Sequence, residues 1–348
     1  MKALVYQGPG QRSWQEVADP RIESPTDAIV QVDAVTICGT DLHILKGDVP
    51  EVEPGRILGH EAVGTVTAVG SAVQNRKVGD RVLVSCISAC GRCRYCHERH
   101  YGQCLGGGGW ILGHLIDGTQ AEYVRVPFAD NSTHPVPAGV SDDQMVMLAD
   151  ILPTSYEVGV LNGTVRPGDV VAIVGAGPIG LAAILTARLY SPRTIVAIDV
   201  ADSRLDAARK FGADVVVNPA AKSARAMLDS LTDGLGADCV MEAVGTPGTF
   251  EESVRLARAG GHVANIGVHG APATLHLEDI WIKNLTITTG LVDTYSTPTL
   301  IDLVAAHRID TAPMITHRFA FDEFEAAYDV FSRPAQTGAL KVLLAASK

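Results

Sequence analysis

Over roughly the first 150 residues, apolar positions come in short runs of period two. DAIVQVDAVTIC, from Asp27 to Cys38, alternates; EAVGTVTAVGSAV is β-branched and cut by glycines; VGDRVLVS and QAEYVRVP continue the pattern. Such runs predict strands, and their glycine-bounded spacing predicts an irregular antiparallel barrel. The period changes near Pro153. From Asp169 onward, DVVAIVGAG, TIVAIDVA, DVVVN, ADCVMEAVG, GHVANIGV and LTITTGLV are near-continuous apolar runs. Helical stretches separate them: IGLAAILTARLY, SRLDAARKFG, ARAMLDSLT and TFEESVRLARAG. Strands of this kind, alternating with helices, predict a parallel sheet covered on both faces. After about Leu291 the alternation ends. A helix (STPTLIDLVAAHR), a strand (APMITHRFAF), a helix (FDEFEAAYDVFS) and a strand (GALKVLLAA) remain, and they are expected to rejoin the first domain.

Length agrees with two domains, because 348 residues exceed what one core usually serves. The net charge is 28 − 39 = −11 with no basic block, which argues against a nucleic-acid partner. VVAIVGAGPIGLAAIL carries no charge, but it is short for a membrane span and Gly-Ala-Gly-Pro interrupts it. A buried strand, turn and helix explain it, and no membrane association is expected. MKALVYQGPG breaks at Gly8 and Pro9 before an apolar segment forms, so no secretory signal is read and a cytoplasmic location is expected.

The turn in VVAIVGAGPIG has the chemistry of a dinucleotide site. Gly175, Gly177 and Gly180 form G-x-G-x-x-G between a strand and a helix, with Pro178 and Ile179 inside the motif. The first glycine serves the tight turn, the second the approach of a pyrophosphate, the third close helix–strand packing. Unpaired N–H groups at the helix start suit the anion. Asp199 ends the next strand, 199 − 180 = 19 residues on, where an acid can hold the adenosine ribose hydroxyls and repel a 2′-phosphate. NAD is therefore favoured over NADP. The competing role, capping the next helix, suits Asp202 better than Asp199. Arg204 lies nearby.

Four of the seven cysteines crowd together. Cys90, Cys93, Cys96 and Cys104 are spaced C-x2-C-x2-C-x7-C in a lobe of about residues 88–106 that lacks an apolar core. Disulfides here would close tiny loops, whereas four thiolates suit a closed tetrahedral structural zinc. An iron–sulfur cluster or a redox thiol pair is the alternative.

A second set is dispersed. TICGTDLHILKGD places Cys38, Thr40, Asp41 and His43 after a strand, and ILGHEAVG places His60 and Glu61 before another. Singly, Cys38 reads as a small buried residue and His60 as a satisfied polar one. Beside a dinucleotide motif they offer two ligands to a catalytic zinc, which needs a third and an open position. VMLADILPTSYE is apolar up to Asp150. A carboxylate there is either a surface group at a helix end or a metal ligand, because a buried ion is costly unless paired or coordinated.

CGTDLH, GHEAVGTVTAVG, the four-cysteine lobe and VGAGPIG, in this order over essentially the whole chain, resemble the zinc-dependent alcohol dehydrogenases of the medium-chain dehydrogenase/reductase family. The resemblance implies an α/β fold: a GroES-like β-rich catalytic domain (residues 1–151 and 292–348) and a Rossmann doubly wound parallel sheet binding NAD (152–291). It makes Cys38, His60 and Asp150 the catalytic zinc ligands, with Asp at the third place as in bacterial secondary-alcohol relatives. It implies two zincs per chain. Glu61 corresponds to a glutamate that approaches zinc transiently, and Asp41 to the carboxylate that orients His60. Thr40 receives the hydroxyl proton and His43 relays it to solvent; the plainer alternative for His43 is an exposed histidine on a short helix. Thr154, Ile266, Gly267 and Val268 fall at the nicotinamide, Arg204 near the adenosine ribose, and Lys341 where a basic residue reaches the pyrophosphate and Asp41. Cys86, Trp110 and Leu291 are candidate pocket walls, with an ordinary core role the alternative for Trp110. The implied reaction is reversible hydride transfer between NAD and a primary or secondary alcohol, giving an aldehyde or ketone. A polyol or L-threonine dehydrogenase is the alternative within the fold, and a non-catalytic zinc- and nucleotide-binding protein the alternative outside it. A homo-oligomer, tetramer before dimer, is expected through the sheet edge near LTITTGL.

Overall fold

A computed structural model describes residues 1–346. The chain divides into two compact units, Met1–Asp150 with Val292–Lys348, and Ile151–Leu291.

The second unit is built on six parallel strands in the order Val215–Val217, Thr194–Ile198, Val170–Val174, Ala237–Glu242, Ala257–Asn265 and Thr286–Thr289. The order runs outward in both directions from Val170–Val174, so loops leave the strand ends in opposite senses there and open a crevice. Val170–Val174 is buried at every position, as a central parallel strand must be. Helices Pro178–Ala187, Asp202–Phe211, Ala224–Thr232 and Pro247–Leu256 connect the strands. Their starts follow local rules. Pro178 occupies the first turn, where a missing N–H costs nothing. Ser223 accepts from Ala226 N–H, and Thr246 forms a capping box with Thr249.

One boundary differs from the sequence pattern. TFEESVRLARAG reads as helix to its end, but the helix stops at Leu256 and Ala257 opens a strand paired to Ala237. The register then shifts between that pair and Cys239↔His262. Before the first strand, Ser155–Leu161 winds as a π-helix, a turn no periodicity announced.

The first unit holds a seven-stranded sheet. Five strands run Lys341–Ala345, Ala28–Thr36, Ala62–Val69, Arg81–Val84 and Thr133–Pro135, each antiparallel to the next. Tyr123–Val126 also pairs antiparallel with Ala28–Thr36, and Ile315–Ala320 adds the one parallel pairing, to Lys341–Ala345. The chain's last segment is thus woven into a sheet begun by its first. Val30, Val35, Leu58, Val82, Leu112, Phe324, Tyr328 and Leu344 are among the residues of its core. Helix Gly39–Lys46 follows strand Ala28–Thr36 and ends at Gly47 in the left-handed region (φ 85°).

Candidate active site

Three segments of the first unit deliver Cys38, His60 and Asp150. Cys38 caps helix Gly39–Lys46, and its own N–H donates to Asp41 Oδ2 (2.9 Å). His60 and Glu61 directly precede strand Ala62–Val69. Asp150 ends the first stretch of the unit. Asp150 Oδ2 lies 3.6 Å from Cys38 Sγ and 3.3 Å from His60 Nε2. A tetrahedral zinc with bonds of about 2.3 Å to sulfur and about 2.05 Å to nitrogen or oxygen sets S and O about 3.6 Å apart and N and O about 3.3 Å apart. The donor set and its spacing fit that ion. Glu61 also offers an oxygen within 4.8 Å of the other three donors, and its Oε1 is buried without a hydrogen-bond partner among the described residues.

Electrostatics follow from burial. Burial pushes the Cys38 thiol up, Glu61 adds to this, and His60 offsets part of it. Burial acts to lower the His60 pKa, but hydrogen bonds with Asp150 and Cys38 outweigh it and raise the value well above normal. A bound divalent cation reverses this logic, since it favours thiolate and neutral imidazole.

The surrounding groups are fixed by hydrogen bonds. Asp41 is fully buried, and its Oδ2 also accepts from Gln120 Nε2 (2.9 Å), whose Oε1 accepts from Tyr328 OH (2.8 Å). Gln120 and Tyr328 went unread in the sequence, because nothing local marks a buried amide or phenol as a support. Thr40 Oγ1 lies 3.7 Å from Cys38 Sγ. His43 Nδ1 is 2.8 Å from Asp48 Oδ2 near the surface. Lys341 is buried, and its Nζ donates to Glu61 Oε2 (2.5 Å) and to the Ile37 carbonyl (3.1 Å). The Cys86 thiol donates to Asp150 Oδ1 (3.7 Å). Trp110 meets His60 edge-on (centroids 6.2 Å apart) and stacks on His114 (4.2 Å). Leu291, the last residue of the second unit, is exposed.

In the lobe, no cysteine is in a disulfide. The four sulfurs fall within 4.8 Å of one another. Backbone N–H groups of Cys90 and Gly106 point at Cys104 Sγ (3.3 and 3.4 Å), and those of Cys96 and Leu105 at Cys93 Sγ (3.5 and 3.4 Å). N–H groups aimed at sulfur favour thiolates, and the one from Cys96 is the main reason the Cys93 thiol falls to about 6. Burial and the bond with Cys93 push Cys96 up to about 12. Apolar packing in the lobe consists of little beyond Ala89, Tyr101 and the cysteines themselves. The arrangement fits a closed four-sulfur metal site.

In the second unit, Gly175 has φ 98°, and an added Cβ would lie 2.6 Å from Val244 Cγ2. At Gly180 an added Cβ would run into the Gly175 carbonyl. At Gly177 it would meet nothing within 4 Å. Two glycines are thus required by the protein's own packing, while the middle one borders open space at the start of a helix, as a pyrophosphate cradle requires. Asp199 is buried; its Oδ2 accepts from Ala176 N–H (2.8 Å) and its Oδ1 from Ala201 N–H (2.8 Å), with Arg204 Nη1 3.8 Å away. Ile266, Gly267 and Val268 follow strand Ala257–Asn265, with the Ile266 and Gly267 N–H groups donating to the Glu242 carbonyl (2.8 and 3.1 Å). Thr154 ends the short helix Ile151–Thr154. Glu242 is a further residue that went unread. Fully buried, its Oε1 accepts from Val244 N–H, Gly245 N–H and Thr249 Oγ1 (3.0, 2.9 and 2.7 Å). Its signal was a carboxylate inside the apolar stretch CVMEAVG, the same cue that marked Asp150.

Comparisons with known proteins agree with this geometry. The family model for the alcohol dehydrogenase GroES-like domain matches residues 24–138, and that for zinc-binding dehydrogenases matches residues 178–306. An alcohol dehydrogenase of Cupriavidus necator is 38% identical over 99% of this chain and 98% of its own. The apo form of zinc dependent alcohol dehydrogenase 2 from Streptococcus pneumonia superposes with a TM-score of 0.96 at 48% identity, covering 100% of this chain and 99% of that one. An alcohol dehydrogenase from Thermus sp. ATN1 gives 0.92 at 36%, with both chains fully covered.

Proposed function

The chain belongs to the zinc-dependent alcohol dehydrogenases of the medium-chain dehydrogenase/reductase family, and from that premise we propose that it moves hydride reversibly between NAD and a primary or secondary alcohol. The observation that carries the reading is the convergence of Cys38, His60 and Asp150 at separations suited to one tetrahedral zinc. Held there, zinc would supply a Lewis acid that makes alcohol deprotonation accessible near neutral pH, and NAD would supply the hydride acceptor.

The remaining work falls to the chain's own residues. Asp41, held by Gln120 with Tyr328 behind it, acts on His60 through its charge and is the group assigned to orient that ligand. Thr40 accepts the hydroxyl proton, and His43, steadied by Asp48, passes it to solvent. Glu61, held by Lys341 and Thr36, stands beside the ligands as an exchangeable donor. Gly177 and the start of helix Pro178–Ala187 receive the pyrophosphate. Asp199 accepts the ribose hydroxyls and opposes a 2′-phosphate, with Arg204 as its neighbour. Thr154, Ile266, Gly267 and Val268 line the nicotinamide, and Cys86 and Trp110 wall the substrate. The four-cysteine lobe takes a second, structural zinc.

Two further aspects belong to the same reading. Trp281 and Ile282 are exposed close in sequence to edge strand Thr286–Thr289, which supports a homo-oligomer, tetramer before dimer, built on that edge. No helix among the described residues is long and apolar enough to cross a membrane, and the seven unpaired thiols favour a reducing compartment, the cytoplasm.

Metal analysis tests the core of the proposal and should return about two zincs per chain, one from the open site and one from the closed lobe. Asp150→Ala should abolish turnover while NADH binding persists; normal turnover in that variant overturns the ligand assignment. A preference for NADPH at fixed substrate overturns the role given to Asp199.

A further inference from the structure

The two oxygens of Asp150 face different neighbours. Oδ2 faces the other ligand atoms, 3.6 Å from Cys38 Sγ and 3.3 Å from His60 Nε2. Oδ1 receives the thiol of Cys86, 3.7 Å away. Cys86 is joined to the same segment a second time, through its backbone N–H to the carbonyl of Ala149 (3.1 Å). Its side chain is buried, and it lies two residues past strand Arg81–Val84. That strand is paired antiparallel to Ala62–Val69, with Val84 opposite Ala62, so the segment carrying Cys86 is in register with the one carrying His60 and Glu61.

We propose that Cys86 is a positioning residue for the third zinc ligand: its neutral thiol donates to Asp150 Oδ1 and leaves Oδ2 alone to face the metal. The inference rests on the zinc site proposed above and goes beyond the role of pocket wall. A carboxylate ligand on one oxygen is a weaker and more mobile ligand than a thiolate, because it can rotate and offer both oxygens. Occupying one oxygen with a donor removes that freedom. Hydrogen bonds of this kind to metal ligands typically alter metal affinity by about 10–100-fold when removed. Thiol hydrogen bonds are weak ones, so the lower end of that range is expected. Serine at this position would keep a donor, whereas alanine would remove it without adding bulk.

The experiment measures zinc affinity at the open site of the full-length protein by competition with a chelator, for the native chain, Cys86→Ala and Cys86→Ser. The lobe site serves as an internal reference. The proposal expects Cys86→Ala to bind the open-site zinc about tenfold more weakly and Cys86→Ser to recover most of that loss. Cobalt substitution of the open site adds a readout independent of activity. The sulfur-to-cobalt charge-transfer band should have the same intensity in Cys86→Ser as in the native protein, because only Cys38 contributes sulfur. Unchanged affinity in Cys86→Ala overturns the proposal, and so does a halved charge-transfer band in Cys86→Ser, which would make Cys86 itself a ligand. Failure of the native protein to bind any metal outside the lobe overturns the underlying zinc reading instead, so the two failures are distinguishable.

Discussion

Lys341 and Glu61 form an ion pair closed to water on both sides: Nζ stands 2.5 Å from Oε2, and the two side chains are 1% and 0% exposed. Two hundred and eighty residues separate them, and the pair ties the last strand of the first unit to the segment that carries His60. Thr36 donates to the same oxygen, and the Ile37 carbonyl accepts from the same ammonium.

Removing one partner of such a pair strands a buried charge and costs roughly 3–5 kcal/mol, while removing both is far milder. Lys341→Met should therefore lower the urea midpoint sharply, and the double variant with Glu61→Gln should recover a large part. Burial acts to lower the Lys341 pKa, but Glu61, Cys38 and Asp150 together outweigh it and the net shift is upward from 10.5. A raised folded-state pKa means that its contribution is complete below about pH 10.5 and is lost as pH climbs through the folded value. A single variant as stable as the native chain at pH 8 would sink this account.

His134 contributes on the acid side. It lies in strand Thr133–Pro135, its Nε2 has no hydrogen-bond partner among the described residues, and burial, helped by the Arg76 charge, pushes its pKa from 6.5 to about 4. A depressed pKa means that the unfolded chain takes the proton first, so stability falls as pH drops from about 6.5 toward about 4. The full window is worth on the order of 3 kcal/mol. Thermal melts of His134→Gln against pH should show a flatter slope there than the native chain; parallel curves would remove His134 from the explanation.

The three glycines of the dinucleotide turn should separate fold from binding. At Gly180 an added methyl meets the Gly175 carbonyl, so Gly180→Ala should unfold the turn or lower Tm by several degrees. Gly177 has φ −74°, ordinary for alanine, and open space around it. Gly177→Ala should stay within about 0.5 kcal/mol of native stability. It should nonetheless bind NADH at least about tenfold more weakly, a loss of about 1.4 kcal/mol. Fluorescence titration beside calorimetry reads both quantities, and native NADH affinity in Gly177→Ala would move the pyrophosphate elsewhere.

What the sequence revealed follows from how local each signal is. The parallel sheet was legible because strands buried on both faces, such as VVAIV, need no partner to be recognised. The glycine turn and the cysteine lobe were legible because the chemistry of each is packed into one short stretch of chain. The end of helix Pro247–Leu256 was not, since the pairing of Ala257 with Ala237 decides it and helical periodicity runs on through Gly260. The pairing of Lys341 with Glu61 was not legible, because a lone lysine in an apolar strand says nothing of a partner 280 residues away. The support behind Asp41 was invisible for the same reason: Tyr328 and Gln120, two unremarkable residues, reach it only once the last helices pack against the first sheet.

The lobe gives the last test. Its interior consists mainly of sulfur, and the N–H groups directed at Cys93 and Cys104 are arranged for anions. Without a cation those thiolates would repel one another, and too little apolar surface remains to hold the loop closed. Cys93→Ser should therefore lose one zinc per chain and become sensitive to protease within residues 88–106, while the open site keeps its metal. Activity should survive in the cold and fail on warming, because the catalytic ligands lie outside the lobe. Limited proteolysis with metal analysis of the same sample checks this, and a variant that keeps two zincs and resists cleavage would show that the lobe does not depend on metal.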